Sequence, residues 1–417
     1  MAASIADLES LFRKNKEGFE NFLPHQLSAL ETWEREGWDR ALVFYPTGKA
    51  KTTIMLSMVA MRGYEEAVVL APPITHNKWL ADGAAIGIKV IALSHAKFRQ
   101  PDVRVRRNCP IIVDEFHLLG GQSKAGFTKL DKLAPGLQAP LILGSATPNY
   151  NDAERCYCLV HVLNPLDHRG GFIAWLYEHC NTAPNPYGVT PLVREDQPFK
   201  LYKNAEEFLV NQPNVIYLPD EAPDILLDYE VNVSGLPDEF YDLGLDRPQQ
   251  RVMASIMERK QRESLYEILD QDSMELSLDV MESLSILDEQ LGETPRLIFA
   301  QRSTVAQAIL RSYEAAAEPG DWYFSTGYID GSMTTKQKLE ISEAWVRGEF
   351  RVLIGTASLA TGADGMDKVC NHLIIVDDTE DNSLRRQLVG RILPRGDVKP
   401  EDYVGKVAYR FKYVVRP

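Results

Sequence analysis

A strand-like apolar run at residues 41–45 turns and leads to a lysine and two threonines at the start of a helix-like stretch. Backbone N–H groups in such a turn, and the positive end of a helix, favour a bound anion. A lysine there can pair with the outer phosphates of a polyphosphate, and a hydroxyl can hold a divalent cation. Lys51 and Thr52 are the candidates for these two roles. The predicted phosphate-binding loop comprises Thr47, Gly48, Lys49, Ala50, Lys51, Thr52 and Thr53.

This loop departs from the pattern G-x-x-x-x-G-K-[ST]. Ala50 stands where glycine normally precedes the lysine, and Tyr45 occupies the first glycine position. If the loop needs a positive φ at Ala50, the strain costs about 1 kcal/mol. An ordinary strand, turn and helix with a surface lysine is the alternative for this segment taken alone.

Two adjacent carboxylates, Asp114 and Glu115, follow a second apolar run at residues 111–113. The carboxyl ends of parallel strands meet at one edge of a sheet, so we expect these carboxylates in the same site as Lys51. One carboxylate can hold Mg²⁺ through water, and the other can orient or deprotonate an attacking water. Together with the loop, the pair predicts hydrolysis of a magnesium nucleotide, and an acidic turn is the alternative.

The alternation of short apolar runs with helix-like segments predicts a parallel α/β sheet. The runs lie at 67–71, 89–93, 110–113 and 141–144 and start again at 296–300, 351–355 and 372–376. We therefore predict two tandem lobes, each a mainly parallel sheet flanked by helices. The predicted boundaries are 1–182 for the first lobe, 183–225 for a connector with little regular structure and 226–417 for the second lobe. Residues 236–291 are predicted to form a helical bracket before the second lobe's motifs.

Composition limits the class of protein. A chain of 417 residues and 47.0 kDa with 45% hydrophobic residues is expected to fold as two globular domains. It has no apolar run long enough for a bilayer, and its five scattered cysteines suit a reducing cytoplasm, so we predict a cytoplasmic protein without a membrane partner. A net charge of −14 means that any nucleic-acid groove must be local. Cys156 and Cys158 lack the usual spacing of zinc ligands, which leaves zinc a minor alternative.

Four segments in this order resemble the first-lobe motifs of superfamily-two helicases and translocases: LPHQ at 23–26, TGKAKT at 47–52, the DEAH-like DEFH at 114–117 and SATP at 145–148. TPNYND at 147–152 and LNPLD at 163–167 bring the resemblance closer to Swi/Snf-type DNA translocases, with phage helicases of the UvsW kind as near neighbours. The resemblance implies RecA-like lobes with ATP and Mg²⁺ as cofactors. It implies that Gln26 reads adenine, that Lys51 and Thr52 bind phosphate and Mg²⁺, and that Asp114 and Glu115 drive hydrolysis.

Stretches at 330–338, 350–364 and 386–396 resemble second-lobe helicase sequence and make Gly362 and Asp364 nucleotide-binding candidates. Arg391 and Arg395 could neutralise the charge that builds on the γ-phosphate. Because they belong to a different lobe, hydrolysis would depend on closure. The family places its second arginine at the position of Pro394, so the choice between Arg391 and Arg395 stays open.

The resemblance also implies a nucleic-acid track across both lobes. The matching positions are Pro72, Asn77, Lys78, Gln301, Arg302, Thr356, Ser358 and Thr361. Hydroxyls, amides and N–H groups contact phosphates without reading bases, so we expect DNA binding that is largely independent of sequence.

We therefore predict an ATP-dependent DNA helicase or translocase acting on duplexes, forks or junctions, working in phage replication, recombination or repair. Two alternatives stay open at this point. One is an RNA helicase, and the other is a nucleotide-gated nucleic-acid clamp whose Ala50 loop turns over little ATP.

Overall fold

The protein is described by a computed structural model. The described residues are 2–46, 48–119, 124–146, 153–165, 170–186, 188–194, 197–220, 222–234, 268–270, 273–317, 322, 324–361, 365–379, 381–395 and 398–416. They form two compact units. Unit 1 comprises Met1–Glu221 with Arg395–Asp397, and unit 2 comprises Ala222–Pro394 with Val398–Pro417.

Unit 1 contains a six-stranded, fully parallel sheet. Its strands are β1 (Arg40–Phe44), β2 (Glu66–Leu70), β3 (Lys89–Leu93), β4 (Ile111–Val113), β5 (Leu141–Ser145) and β8 (Val215–Tyr217), in the order β3-β2-β4-β5-β1-β8. A small antiparallel ribbon pairs β6 (Thr182–Ala183) with β7 (Leu192–Val193). Since the sheet is covered on both faces, its central strands are almost wholly apolar.

Nine described α-helices belong to unit 1. They are α1 (Ile5–Asn15), α2 (Pro24–Glu36), α3 (Lys51–Met61), α4 (His76–Ala85), α5 (His95–Arg99), α6 (Ala125–Leu133), α7 (Ala153–Leu163), α8 (Gly171–His179) and α9 (Ala205–Val210). Short 3₁₀ turns lie at Pro73–Thr75, Phe116–Leu119 and Ala134–Gly136. One core, which includes Trp33 and Trp79, lies on one side of the sheet, and a second core, which includes Trp175, lies on the other.

The stretch expected to be an irregular connector, 183–225, is more regular than predicted. It contains α9, whose Phe208 is buried in the core, and β8, which pairs in parallel with β1 at the edge of the sheet. Its many Pro, Asn and Asp residues suggest loops, but the short apolar groups between them are sufficient to pack. Composition alone therefore did not indicate one helix, α9, and two short strands, β7 and β8.

Unit 2 contains a second six-stranded, fully parallel sheet. The strands are β9 (Leu226–Ser234), β12 (Arg296–Ala300), β13 (Thr326–Ile329), β14 (Val352–Gly355), β15 (His372–Asp377) and β16 (Val407–Arg416), in the order β13-β14-β12-β15-β16-β9. A two-residue ribbon pairs β10 (Leu269–Asp270) with β11 (Glu275–Leu276).

The described α-helices of unit 2 are α10 (Leu278–Leu291), α11 (Ser303–Ala316), α12 (Thr335–Val346), α13 (Met366–Val369) and α14 (Asn382–Val389). Two 3₁₀ segments, Ala357–Thr361 and Pro400–Tyr403, accompany them. Helix α10 lies in the predicted helical bracket, whereas residues 236–267 and 271–272 of that bracket lie outside the described residues.

A buried ion cluster attaches α10 to the second sheet. Asp288 accepts hydrogen bonds from Arg296, at the start of β12, and from Arg351, which directly precedes β14. Both arginines are fully buried, and both also donate to the carbonyl oxygen of Gly292. Buried charges require such pairing, so the cluster specifies how α10 lies against the amino-terminal ends of these strands.

The predicted fold class is confirmed: each unit is a parallel sheet flanked by helices, and the architecture is that of tandem RecA-like lobes. None of the described helices is both long and apolar enough to cross a membrane.

Candidate nucleotide-binding and hydrolysis site

The candidate phosphate-binding loop connects β1 to α3 in unit 1 and contains two residues with positive φ. Gly48 has φ 81°, and Ala50, the N-cap residue of α3, has φ 54° and ψ 40°. The left-handed conformation is unfavourable for a residue with a Cβ atom. The loop therefore needs a positive φ at position 50, and Ala50 carries the strain that glycine would avoid. Thr47 lies outside the described residues.

Lys51 begins α3 and folds its ammonium group back onto the loop. Its Nζ donates hydrogen bonds to the carbonyl oxygens of Tyr45, at 3.0 Å, and Pro46, at 3.3 Å. Burial lowers the pKa of Lys51, and the nearby carboxylates of Glu115 and Asp114 oppose that shift. The structure thus brings the predicted lysine and the predicted carboxylates into one electrostatic environment.

Asp114 and Glu115 follow β4 directly. Glu115 has φ 49°, and its backbone N–H donates to Asp114 Oδ1 at 3.1 Å. Asp114 is 8% exposed. Burial and, second, the charge of Glu115 raise the pKa of Asp114 to about 6. Two carboxylates held this close, with one of them buried, form a site that a cation would stabilise.

β5 lies between β1, which leads into the phosphate-binding loop, and β4, which leads to the two carboxylates. Its Gly144 lies close to side chains on both sides. A Cβ atom at Gly144 would lie 2.8 Å from Met55 Cε of α3 and 3.6 Å from Asp114 Oδ1. A side chain here would therefore force the end of the Met55 side chain to move. The sequence patterns did not indicate this close approach. The last two residues of the SATP segment, 147–148, lie outside the described residues.

Two further residues support Asp114 and were also missed from the sequence. Trp79 Nε1 donates to Asp114 Oδ2 at 3.3 Å, and His95 Nε2 lies 2.8 Å from the carbonyl oxygen of Asp114. Burial lowers the pKa of His95 to about 4, so the imidazole is neutral at pH 7 and its Nε2 carries the donated proton. No spacing rule relates these residues to Asp114, because they reach it from α4 and α5 through the fold.

Gln26 lies at the start of α2 and is 4% exposed. Its Oε1 accepts a hydrogen bond from the backbone N–H of Leu23 at 2.8 Å, which closes a capping box. An amide oxygen has two lone pairs, so this bond leaves capacity for a second partner such as adenine. Next to it, the Tyr45 hydroxyl donates to the carbonyl oxygen of His25 at 2.7 Å. The end of β1 and the start of α2 are thereby joined.

The two threonines of the loop differ in their surroundings. Thr53 is 3% exposed, and its hydroxyl accepts a hydrogen bond from Lys16 Nζ at 3.1 Å. Thr52 is half-buried. An Mg²⁺ ion that accompanies a nucleotide would take oxygen ligands, and the residues here that fit it are Thr52 and Asp114.

The zinc alternative receives no support from the described residues, among which no group of three or more His, Cys, Asp or Glu side chains could hold a metal ion. Cys156 and Cys158, both on α7, are buried within the apolar core.

The nucleic-acid candidates of unit 1 lie at the start of α4. Asn77 and Lys78 are exposed, whereas Pro72 is buried and its carbonyl oxygen accepts a hydrogen bond from the Thr75 hydroxyl at 2.9 Å. Only Asn77 and Lys78 therefore present side chains at the surface.

In unit 2, several predicted contact residues already have protein partners. Arg302 makes a two-pronged ion pair with Asp377, through Nε at 2.8 Å and Nη2 at 2.7 Å. Ser358 accepts a hydrogen bond from Lys338 at 3.1 Å, and Thr356 is 8% exposed. Gln301 is exposed. The Thr361 side chain, Gly362 and Asp364 lie outside what the structure describes.

The two candidate arginines occupy different places. Arg391 belongs to unit 2 and donates from Nε to the carbonyl oxygen of Ala360 at 2.8 Å. Arg395 belongs to unit 1, where a Cβ atom on Gly48 would come 2.9 Å from its Cγ. Within unit 1, Arg395 therefore lies beside the phosphate-binding loop.

The chain is similar to known proteins in one domain and in its fold. Residues 278–395 match the helicase conserved C-terminal domain. No curated protein sequence matches the chain.

Two of the solved structures that share the fold show the extent of the likeness. One is S. cerevisiae Dbp5 bound to RNA and ADP BeF3, at 14% identity, with 97% of this chain and 90% of that chain covered and a TM-score of 0.51. Another is the Mycobacterium smegmatis helicase Lhr bound to ssDNA and AMP-PNP, at 16% identity and a TM-score of 0.53. That alignment covers 97% of this chain and 47% of Lhr, so the chain spans about half of that helicase. At these identities the likeness is one of fold.

Proposed function

We propose that the protein is an ATP-dependent DNA helicase or translocase that couples hydrolysis of Mg-ATP to movement on DNA. The observation that carries this proposal is the convergence of Lys51 and the Asp114–Glu115 pair at one edge of a parallel sheet. The helicase C-terminal match of residues 278–395 supports it independently, because that match lies in the other unit apart from its last residue, Arg395.

Each residue of the site has a chemical role in this proposal. Lys51 leaves the carbonyl oxygens of its own loop and pairs with the outer phosphates. Thr52 and Asp114 hold the magnesium ion, which neutralises phosphate charge when bound. Glu115 orients or deprotonates the attacking water, and Gln26 pairs with the adenine edge. Arg395, beside Gly48, is the better candidate for stabilising charge on the γ-phosphate.

The choice of DNA rests on the Swi/Snf-like stretches at 147–152 and 163–167. RNA is the runner-up, since Dbp5 was solved with RNA and Lhr with ssDNA. Asn77 and Lys78 would contact the phosphate backbone, which both nucleic acids share. We therefore expect sequence-independent binding that weakens as salt rises.

The deciding experiment measures ATP hydrolysis with matched duplex DNA, forked DNA, a four-way junction, single-stranded DNA and RNA. The proposal expects stimulation by at least one DNA substrate that exceeds stimulation by RNA. Stronger stimulation by RNA than by any DNA would favour an RNA helicase over the proposed DNA motor. Hydrolysis that stays at background with every substrate would contradict the motor.

A nucleotide-gated clamp is the second candidate, and the strained Ala50 favours it. The same assay distinguishes the clamp when it includes Ala50→Gly. If the unaltered protein hydrolyses ATP at a rate near background and Ala50→Gly hydrolyses it much faster, the loop conformation limits hydrolysis, as the clamp requires. Equal turnover by both proteins would remove the argument for a clamp.

A further inference from the structure

Helix α4 carries residues of opposite character on its two sides. Asn77 and Lys78, the nucleic-acid candidates, are exposed. Trp79 and Asp82 are 0% and 5% exposed. Positions three apart on a helix share a face, so Trp79 and Asp82 both point into unit 1. The two buried residues make polar contacts to different parts of the candidate hydrolysis site.

The first contact runs from Trp79 to Asp114. An indole N–H can only donate, and Trp79 Nε1 donates to Asp114 Oδ2 at 3.3 Å. The other carboxylate oxygen accepts the N–H of Glu115. The orientation of the Asp114 carboxylate is therefore specified from two sides, and one of them is α4.

The second contact runs from Asp82 to the helix of the phosphate-binding loop. Lys16, which follows α1, lies with its Nζ 2.9 Å from Asp82 Oδ1 and 3.1 Å from Thr53 Oγ1. Thr53 lies in the first turn of α3, two positions after Lys51. A single ammonium group thus joins α4 to the start of α3, in a place where Asp82 is buried and needs a cation.

We propose that α4 couples the two ligands of this protein, with Trp79 and the Asp82–Lys16–Thr53 bridge as positioning contacts. A helix moves as a rigid element, so phosphate bound at Asn77 and Lys78 shifts Trp79 and Asp82 with it. The shift reorients the Asp114 carboxylate and the start of α3 together. The inference rests on the proposed function, because it takes a nucleotide and a nucleic acid as the two ligands.

The test measures coupling without hydrolysis. The dissociation constant of a fluorescein-labelled oligonucleotide is measured by anisotropy with and without Mg-AMP-PNP, using single-stranded DNA, duplex DNA and RNA of one sequence. For the unaltered protein we expect the ratio of the two constants to differ from one by about fivefold or more, the usual lower range for coupled sites.

Variants then separate the two contacts. Trp79→Phe removes the indole donor, and the double variant Lys16→Met with Asp82→Asn removes the bridge without leaving a buried charge unpaired. We expect each to bring the ratio to within about twofold of one, whereas a Lys16→Arg protein keeps the ratio because the cation is retained. Trp345→Phe is the matched control, since its buried indole donates to the Arg351 carbonyl oxygen at 3.1 Å in unit 2.

A ratio of one in the unaltered protein, or an unchanged ratio in both Trp79→Phe and the double variant, would overturn the inference. Thermal unfolding shows which variants are folded, and the bridge variants still test α4 if Trp79→Phe does not fold. ATP hydrolysis by the unaltered protein is followed separately. Absent hydrolysis contradicts the proposed motor, whereas normal hydrolysis with a ratio of one contradicts only the coupling role of α4.

Discussion

The ammonium nitrogen of Lys51 lies 3.0 Å from the carbonyl oxygen of Tyr45, so the lysine holds its own loop together. A phosphate ligand has to replace these carbonyl partners, and burial already disfavours the charged form of the side chain. We expect Lys51→Met to abolish ATP binding and hydrolysis while the melting temperature does not fall, because a costly buried ammonium group is removed. Hydrolysis assays and thermal unfolding check this, with the exposed Lys89→Met as control. Native hydrolysis by Lys51→Met would remove Lys51 from its proposed role.

The left-handed conformation of Ala50 gives a second prediction. Glycine relieves strain of about 1–2 kcal/mol there but loses more backbone entropy on folding, about 0.5–1 kcal/mol. We therefore expect Ala50→Gly to leave the free energy of unfolding unchanged or raised by up to about 1.5 kcal/mol. The matched control is Ala60→Gly in the same helix, where nothing offsets the entropy and we expect a loss of about 1 kcal/mol. Equal losses in both variants would show that Ala50 is not strained.

Much of the fold was readable from the sequence because buried parallel strands are continuous apolar runs. All seven predicted runs outside the phosphate-loop segment correspond to strands, within one residue at their ends. Strand β16 was missed although residues 409–413 alternate aromatic and basic side chains, a period-two pattern typical of a strand with one buried face. Strand β8 was missed because it is only three residues long and is stabilised by pairing with β1.

The residues of the candidate site also differ in whether a local sequence pattern identifies them. Asp114 and Glu115 directly follow a strand, and Lys51 begins the helix after the loop that follows β1. Local sequence patterns identify such positions. The roles assigned to these residues remain predictions. Trp79, Lys16 and Gly144 act through contacts between distant segments, and no local pattern specifies those. Arg302 is a different case. Its motif position suggested a nucleic-acid contact, and in the structure its guanidinium pairs with Asp377.

Asp288 is expected to dominate the stability of unit 2. Asp288→Asn would remove the carboxylate that pairs with the fully buried Arg296 and Arg351, and breaking such a buried pair costs about 3–5 kcal/mol. Unfolding in urea, monitored by hydrogen exchange of peptides from β12 and β14, would measure this loss of stability. Glu289→Gln, at the exposed neighbouring position of α10, should change stability by less than about 0.5 kcal/mol. A small effect of Asp288→Asn would show that the Gly292 carbonyl oxygen is a sufficient partner for both guanidinium groups.

His372, at the start of β15, should make unit 2 sensitive to acid. Burial and, second, Arg296 lower the pKa of its imidazole, so the folded state binds a proton less readily than the unfolded chain does. Stability from this residue is therefore complete above the unfolded pKa of about 6.5 and is lost as the pH falls below it toward the folded pKa. We expect His372→Gln to lose less stability than the unaltered protein between pH 7.5 and pH 5.5, values on either side of that pKa of about 6.5. Hydrogen exchange of peptides from β12 and β15 in urea at the two pH values measures the difference, with the neighbouring, exposed Asn371→Gln as a control that does not titrate. An identical pH dependence in all three proteins would assign the acid sensitivity of unit 2 to other groups.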